Sequence, residues 1–195
     1  MPRFSDNEKE IIQQRLFIEG ERLFSTFGIK KVSIDEIVAA VGIAKGSFYT
    51  FFPSKEHLFM DIVAKQQEKM WHEMDVFLQN HTHLQPRELV KQTVVWMLEQ
   101  FSRYPLTQNM DGDTTAYLFR KLPKDVFEAH TKDDESELLK LEQYGVHFIC
   151  GIPIAAKILQ IIVVDFFDLA QEDDATRMSI IDIMLDGVLK EIVSE

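Results

Sequence analysis

Apolar residues in the first third of the chain recur every three or four positions and are interrupted by short, well-marked stops. Ile12, Leu16, Gly20, Leu23, Phe24 and Phe27 fall on one stripe, which predicts an amphipathic helix over about residues 6–27. Gly28 ends it, as the residue best able to take a left-handed C-cap conformation. Ser33 has Glu36 three positions on, a capping-box pattern, and it opens a second helix whose inner face is Ile34, Ile37, Val38 and Val41. Gly42-Ile43-Ala44 reads as a three-residue turn. A further helix begins around Ala44 and lasts about two turns, until Pro53 forces Phe52 out of helical geometry. Two short helices joined by so tight a turn make a helix-turn-helix, which pushes its second helix into the major groove of DNA.

The helical period continues beyond this unit. Ser54 is a plausible N-cap for a long helix from Lys55 towards Asn80, followed by a polar joint at His81-Thr82-His83 and Pro86. Helices are expected over about 87–103 and 137–150, with a less regular region over about 106–136 interrupted by Asp111-Gly112-Asp113 and Pro123. Pro153 opens a strongly apolar helix to about Ala170, and Asp173-Asp174 start a last one that runs to about Val193. Strand-like alternation and internal repeats are not seen. The fold class expected is all-α, with a three-helix head over 1–53 and a helical body over 54–195, connected by the helix 54–80.

Composition narrows the class. The longest apolar run, Ile161 to Val164, is far short of the roughly 18 residues a membrane span needs, and the polar start MPRFSDNEKE has no apolar signal region. The single cysteine, Cys150, fits a reducing cytoplasm, and it has neither a basic neighbour nor a second thiol to act as a redox switch. His72, His81 and His83 lie in or near a polar joint without cysteines, so no metal and no cofactor are expected. Charge has the wrong sign for a nucleic-acid binder at first sight, because the net formal charge is −11. The imbalance is local, however: residues 1–60 carry eight basic and eight acidic side chains, and 61–195 carry thirteen and twenty-four. A neutral head on an acidic body is compatible with DNA binding of modest, salt-sensitive non-specific affinity.

Within the head the chemistry of the helix that follows the turn is specific. Lys45 can reach guanine O6/N7 or a phosphate, and Ser47 and Thr50 can donate to phosphates or base edges. Gly46 lets the backbone approach closely, while Tyr49 and Lys55 suit phosphate contacts that position rather than specify. Ser33 can offer its hydroxyl and the helix N-terminus to a phosphate. Phe48 suits core packing as well as a thymine methyl. Lys30, Lys31 and the N-terminal Arg3 are further candidates for backbone or minor-groove contact.

The head resembles the DNA-binding domain of the tetracycline-repressor (TetR) family of bacterial regulators. Leu23-Phe24, Gly28, Ser33, Ile37, Val41-Gly42-Ile43, Gly46, Phe48-Tyr49, Phe52, Lys55-Glu56 and Leu58 carry the resemblance over roughly residues 10–60. Ala44 stands where the family commonly has a hydroxyl residue, and Phe51 where a polar or tyrosine side chain is common. The resemblance implies a homodimeric repressor that binds a palindromic operator and is released by a small molecule held in the body.

One recognition helix reads few base pairs, so a two-fold dimer is expected. Its candidate interface is Ile154, Ile158, Ile161 and Ile162 on one helix and Ile180, Ile181, Met184 and Val188 on the next. For a hydrophobic or aromatic effector the candidate lining is Trp96, Phe101, Tyr104, Met110, Tyr117, Phe119, Tyr144, His147 and Phe148. No nucleophile–base pair or phosphate-binding loop stands out, so an enzyme is not expected. Two rivals stay open: an activator, and a DNA-bound structural protein that regulates a partner through the same head.

Overall fold

The computed structural model describes residues 4–100, 103, 104, 106, 112–169 and 171–194, with the side chains of 127–134, 167 and 168 excepted. The elements are α1 (Asp6–Phe27), α2 (Ile34–Val41), α3 (Lys45–Phe48), α4 (Lys55–Asn80), α5 (Pro86–Gln100), α6 (Gly112–Lys121), α7 (Lys124–Glu142), α8 (Ile152–Asp168) and α9 (Asp174–Ile192). The fold is all-α, and the only extended pairing among the described residues is an isolated antiparallel bridge between Phe148 and Val193. Among these residues no helix is long and apolar enough to cross a membrane.

The chain divides into two compact units, Met1–Gln67 with Pro105–Pro123, and Glu68–Tyr104 with Lys124–Glu195. The head expected over 1–53 lies within the first, together with the start of α4 and with α6. Its helix ends follow local chemistry. Ser5 and Glu8 form a capping box at the start of α1, and Gly28 closes it at φ 76° with its N–H on the Phe24 carbonyl. Leu16, Leu23, Phe24, Ile37, Val38, Val41, Phe48, Leu58, Phe59 and Ile62 are buried, with Phe24 edge-on to Phe59 at 5.4 Å. Gly20 lets α1 lie close on α4, since a Cβ there would come 3.0 Å from Ile62 Cδ1 and 3.1 Å from Leu58 Cδ2.

The second unit packs Met70, Met74 and Leu78 of α4 with Leu89, Val90, Val94 and Leu98 of α5 around α8 and α9. Lys91 bridges Asp182 and Asp186 of α9, each at 2.7 Å. Arg87 donates from Nε to the Val193 carbonyl at 2.9 Å, satisfying an acceptor beyond the end of α9.

Two expectations are corrected. The region expected to be irregular, 106–136, contains α6 and most of α7, so Pro123 separates two helices and does not mark a loop. The helix expected over 137–150 ends instead at Glu142. Gly145 and Gly151 adopt positive φ, and the chain end ties down the stretch between them: Ile149 N–H donates to the Ile192 carbonyl, and Ser194 N–H to that of His147.

Candidate nucleic-acid interface

The helix-turn-helix is set by three local devices. Ser33 caps α2 and forms a full capping box with Glu36. Gly42 turns the chain at φ 78°, ψ 38°, a left-handed conformation that a side chain would strain, and donates its N–H to the Val38 carbonyl at 2.8 Å. Ala44 then starts α3 without any side-chain cap. Helix α3 spans only Lys45–Phe48, shorter than the two turns expected. Residues 49–52 continue as tight turns, with Thr50 N–H on the Ser47 carbonyl and Phe51 N–H on that of Phe48. Pro53 follows at once and cannot extend the helix.

Around this short helix the side chains sort by exposure. Lys45, Gly46, Tyr49 and Thr50 are exposed and Ser47 is half-buried. Tyr49 keeps 52% of its surface and stands edge-on to Phe48 at 5.7 Å. Phe48 is 0% exposed and packs on Phe52, so it belongs to the core of the head and leaves the set of DNA-facing residues.

Lys45 Nζ lies 2.9 Å from the Asp35 carboxylate, which raises the lysine above its ordinary pKa. Ser33 is exposed, but its N–H and hydroxyl already meet Glu36 Oε2 at 2.8 and 2.7 Å. Those hydrogen bonds from Ser33 hold the Glu36 carboxyl below its usual range. The phosphate contact expected of Ser33 is therefore met by an internal carboxylate.

Lys55 also has internal work. Its ammonium donates to the Ile29 and Val32 carbonyls at 2.7 and 2.6 Å, tying the α1–α2 loop to the start of α4. Burial pushes its pKa down, the opposite of what a phosphate partner would do. Lys55→Met is expected to cost about 1–3 kcal/mol of head stability, because two carbonyls lose their donor. The salt dependence of DNA binding should stay that of the parent, as measured by anisotropy titrations at several salt concentrations. A shallower salt slope would restore the phosphate role.

Helix α6 is fastened to the same unit. Tyr117 donates its hydroxyl to Glu56 Oε1 at 2.6 Å, and Lys30 pairs with Asp113. Burial, then the hydrogen bond to Glu56, pushes Tyr117 up to about 12. Burial alone would raise Glu56, but the hydrogen bonds from Tyr117 and Ser54 prevail and hold its carboxyl below the usual value.

The signs give a pH window. The tyrosine contributes stability that is whole below its ordinary pKa of about 10 and is lost as pH rises to about 12. The glutamate's share is whole above its ordinary value and is lost as pH falls below it. Tyr117→Phe is expected to cost about 1.5–3 kcal/mol at neutral pH, the range for a hydrogen bond to a charged group. Absorbance titration of the phenols should lose its latest step.

The remaining aromatic candidates fall into both units. Tyr117 and the exposed Phe119 belong to the first. In the second, Trp96 stacks on Phe77 at 5.2 Å, Tyr104 and Phe148 are buried, and Tyr144 is partly buried against the core. His147 is exposed and contributes its backbone carbonyl to the strap of the chain end. Phe101, Met110 and Arg3 lie outside the described residues.

The interface candidates also divide. Ile162 and Ile181 are buried in their own unit's core, so they cannot face a partner. Ile154 and Ile161 are exposed, and Ile158, Ile180, Met184 and Val188 are partly exposed. The structure adds Val164 on α8 and Ile183 on α9, the latter 73% exposed, which the sequence pattern alone did not single out. The signal was available: Val164 lies three positions after Ile161 and Ile183 three after Ile180, at helical spacing.

Comparison with known proteins agrees with this geometry. Residues 19–62 match the model of the bacterial regulatory proteins of the tetR family. The chain is 26% identical over 99 residues to the HTH-type transcriptional regulator AcrR of Shigella flexneri; the match takes in 51% of this chain and only 46% of that protein. A TetR transcriptional regulator from Rhodococcus sp. RHA1 shares the fold with a TM-score of 0.61 at 19% identity, over 93% of this chain and 97% of that one. RolR, solved in complex with its ligand resorcinol, does so with a TM-score of 0.64 at 19% identity, over 93% and 89%.

Proposed function

We propose that the chain is a TetR-family transcriptional regulator with a helix-turn-helix head, and that it acts as a homodimeric repressor, binding a palindromic operator and released by a small hydrophobic or aromatic effector. The observation that carries the DNA-binding part is the row Lys45, Gly46, Tyr49 and Thr50, exposed together on a capped, glycine-turned unit whose Ile37, Val38, Val41 and Phe48 are turned inward. The exposed apolar faces of α8 and α9 support the dimer, since Ile154, Ile161, Val164 and Ile183 are left largely uncovered within the chain. The aromatic ligand of RolR supports the class of effector.

The switch would run through two elements. Helix α4 is continuous from Lys55 to Asn80, so a shift of its later turns reaches its first turn. Helix α6 is fastened to that first turn through Tyr117 and Glu56, and to the α1–α2 loop through Asp113 and Lys30. Effector binding in the body tilts α4 and moves the two heads off operator spacing. To invert a 99:1 preference the effector must favour the released state by about 5.5 kcal/mol.

Capture of sheared genomic DNA by the purified protein, followed by sequencing, tests the regulatory reading. One or a few fragments next to promoters are expected. Many fragments scattered over the genome would favour a structural DNA-bound protein instead.

A further inference from the structure

Residues 32–54 contain one basic side chain, Lys45, and it is paired with a carboxylate from the other helix of the motif. Asp35 stands in the first turn of α2, and the pair spans the turn at 2.9 Å with side chains 54% and 69% exposed for Lys45 and Asp35. An ion pair this open contributes little to folding, so stability is a poor reason for it. Its position is a better one. The N-terminus of α2 would attract a phosphate, yet Asp35 and Glu36 occupy its first turn, and Glu36 already accepts from Ser33.

We propose that Asp35 is a specificity-determining residue, which positions the Lys45 ammonium for a guanine edge and keeps it from binding phosphates indiscriminately. The inference rests on the DNA-binding reading above. A lysine ammonium has three N–H donors. With one on Asp35, two are left, which matches the O6 and N7 acceptors of one guanine. Those acceptors are neutral and can approach while the carboxylate stays in place. A phosphate is anionic and must approach against Asp35, so its gain from Lys45 is largely cancelled. The device lowers non-specific binding more than specific binding, which raises the ratio between them. An acidic protein that must leave wrong sites quickly gains from that.

The test uses the full-length protein and two duplexes of equal length: one enriched by the wild type from a random pool, the other of random sequence. Kd is measured by fluorescence anisotropy. Asp35→Asn is expected to bind the random duplex about 5- to 10-fold more tightly, with a salt slope steeper by about one, the increment for one further phosphate. The specificity ratio should fall by about 5-fold or more. Asp35→Glu, which keeps the charge, should stay near the wild type. In a Lys45→Gln background Asp35→Asn should change neither Kd.

An equal shift for both duplexes, or the same shift without Lys45, would reduce Asp35 to a general charge effect and overturn the proposal. An unchanged ratio would do the same. If the wild type itself binds neither duplex, it is the DNA-binding reading that fails, whatever the Asp35 variant does.

Discussion

Replacing Lys45 and Tyr49 together by alanine is expected to weaken binding to the enriched duplex by about 30- to 1000-fold while leaving the fold intact. Each side chain is placed to lose a base or phosphate contact of roughly 1–2 kcal/mol, and every 1.4 kcal/mol is tenfold in Kd. Both are exposed, and outside the Asp35 pair and the edge contact with Phe48 they carry little packing. The thermal midpoint should therefore move little, as surface substitutions usually change stability by about 0.5 kcal/mol or less. Circular dichroism melts beside the binding curves separate the two effects. Phe48→Ala, by contrast, should lower the melting temperature first, because it empties a fully buried ring site.

The second large effect is expected at the far end of the chain. Ile161→Asp places a carboxylate in the middle of the exposed apolar face of α8, between Ile154, Ile158 and Val164. In a two-fold dimer each substitution appears twice, and two unpaired carboxylates buried against apolar side chains cost several kcal/mol. Sedimentation of the variant should show monomer at concentrations where the parent is dimeric, with the dissociation constant raised about 100-fold or more, the equivalent of roughly 2.7 kcal/mol. Affinity for the palindrome should fall with it, since one head alone reads only half a site. The monomer should keep its helix content, because Ile161 is not part of its unit's own core. A variant that stays dimeric would move the interface elsewhere.

Much of the head is legible in the sequence because its elements are punctuated locally. The Ser33–Glu36 box, Gly28 and Gly42 fix the ends of α1 and α2, and they act on near neighbours along the chain. The short α3 is less legible: its start matches the pattern, but it ends at Phe48 and gives way to tight turns before Pro53. Lys55 reads as a phosphate ligand by composition, but its partners, Ile29 and Val32, lie more than twenty residues away in sequence and become neighbours only when α4 packs on the loop. The pairing of Lys45 with Asp35 is hidden for the same reason, as it depends on the angle between two helices.

In the body, glycine and proline at 112 and 123 suggest a loop. The structure uses them as helix boundaries, because a residue poor in a helix interior is acceptable at its start. The 146–149 stretch follows the reverse logic. Nothing in its own residues demands the bridge it forms, and the backbone partners of His147 and Ile149 come from Ser194 and Ile192 at the end of the chain. The apolar stripe of α8 predicts burial without saying against what: Ile162 turns to the core, while Ile161, one residue away, turns outward.

The most direct test of the central claim is selection from random duplex DNA with the purified protein at two salt concentrations, followed by sequencing of the bound pool. An enriched palindrome with half-sites about one helical turn apart is predicted, surviving at the higher salt and absent from the pool selected by the Lys45→Ala/Tyr49→Ala protein. A pool without enrichment at either salt would contradict sequence-specific operator recognition by this head.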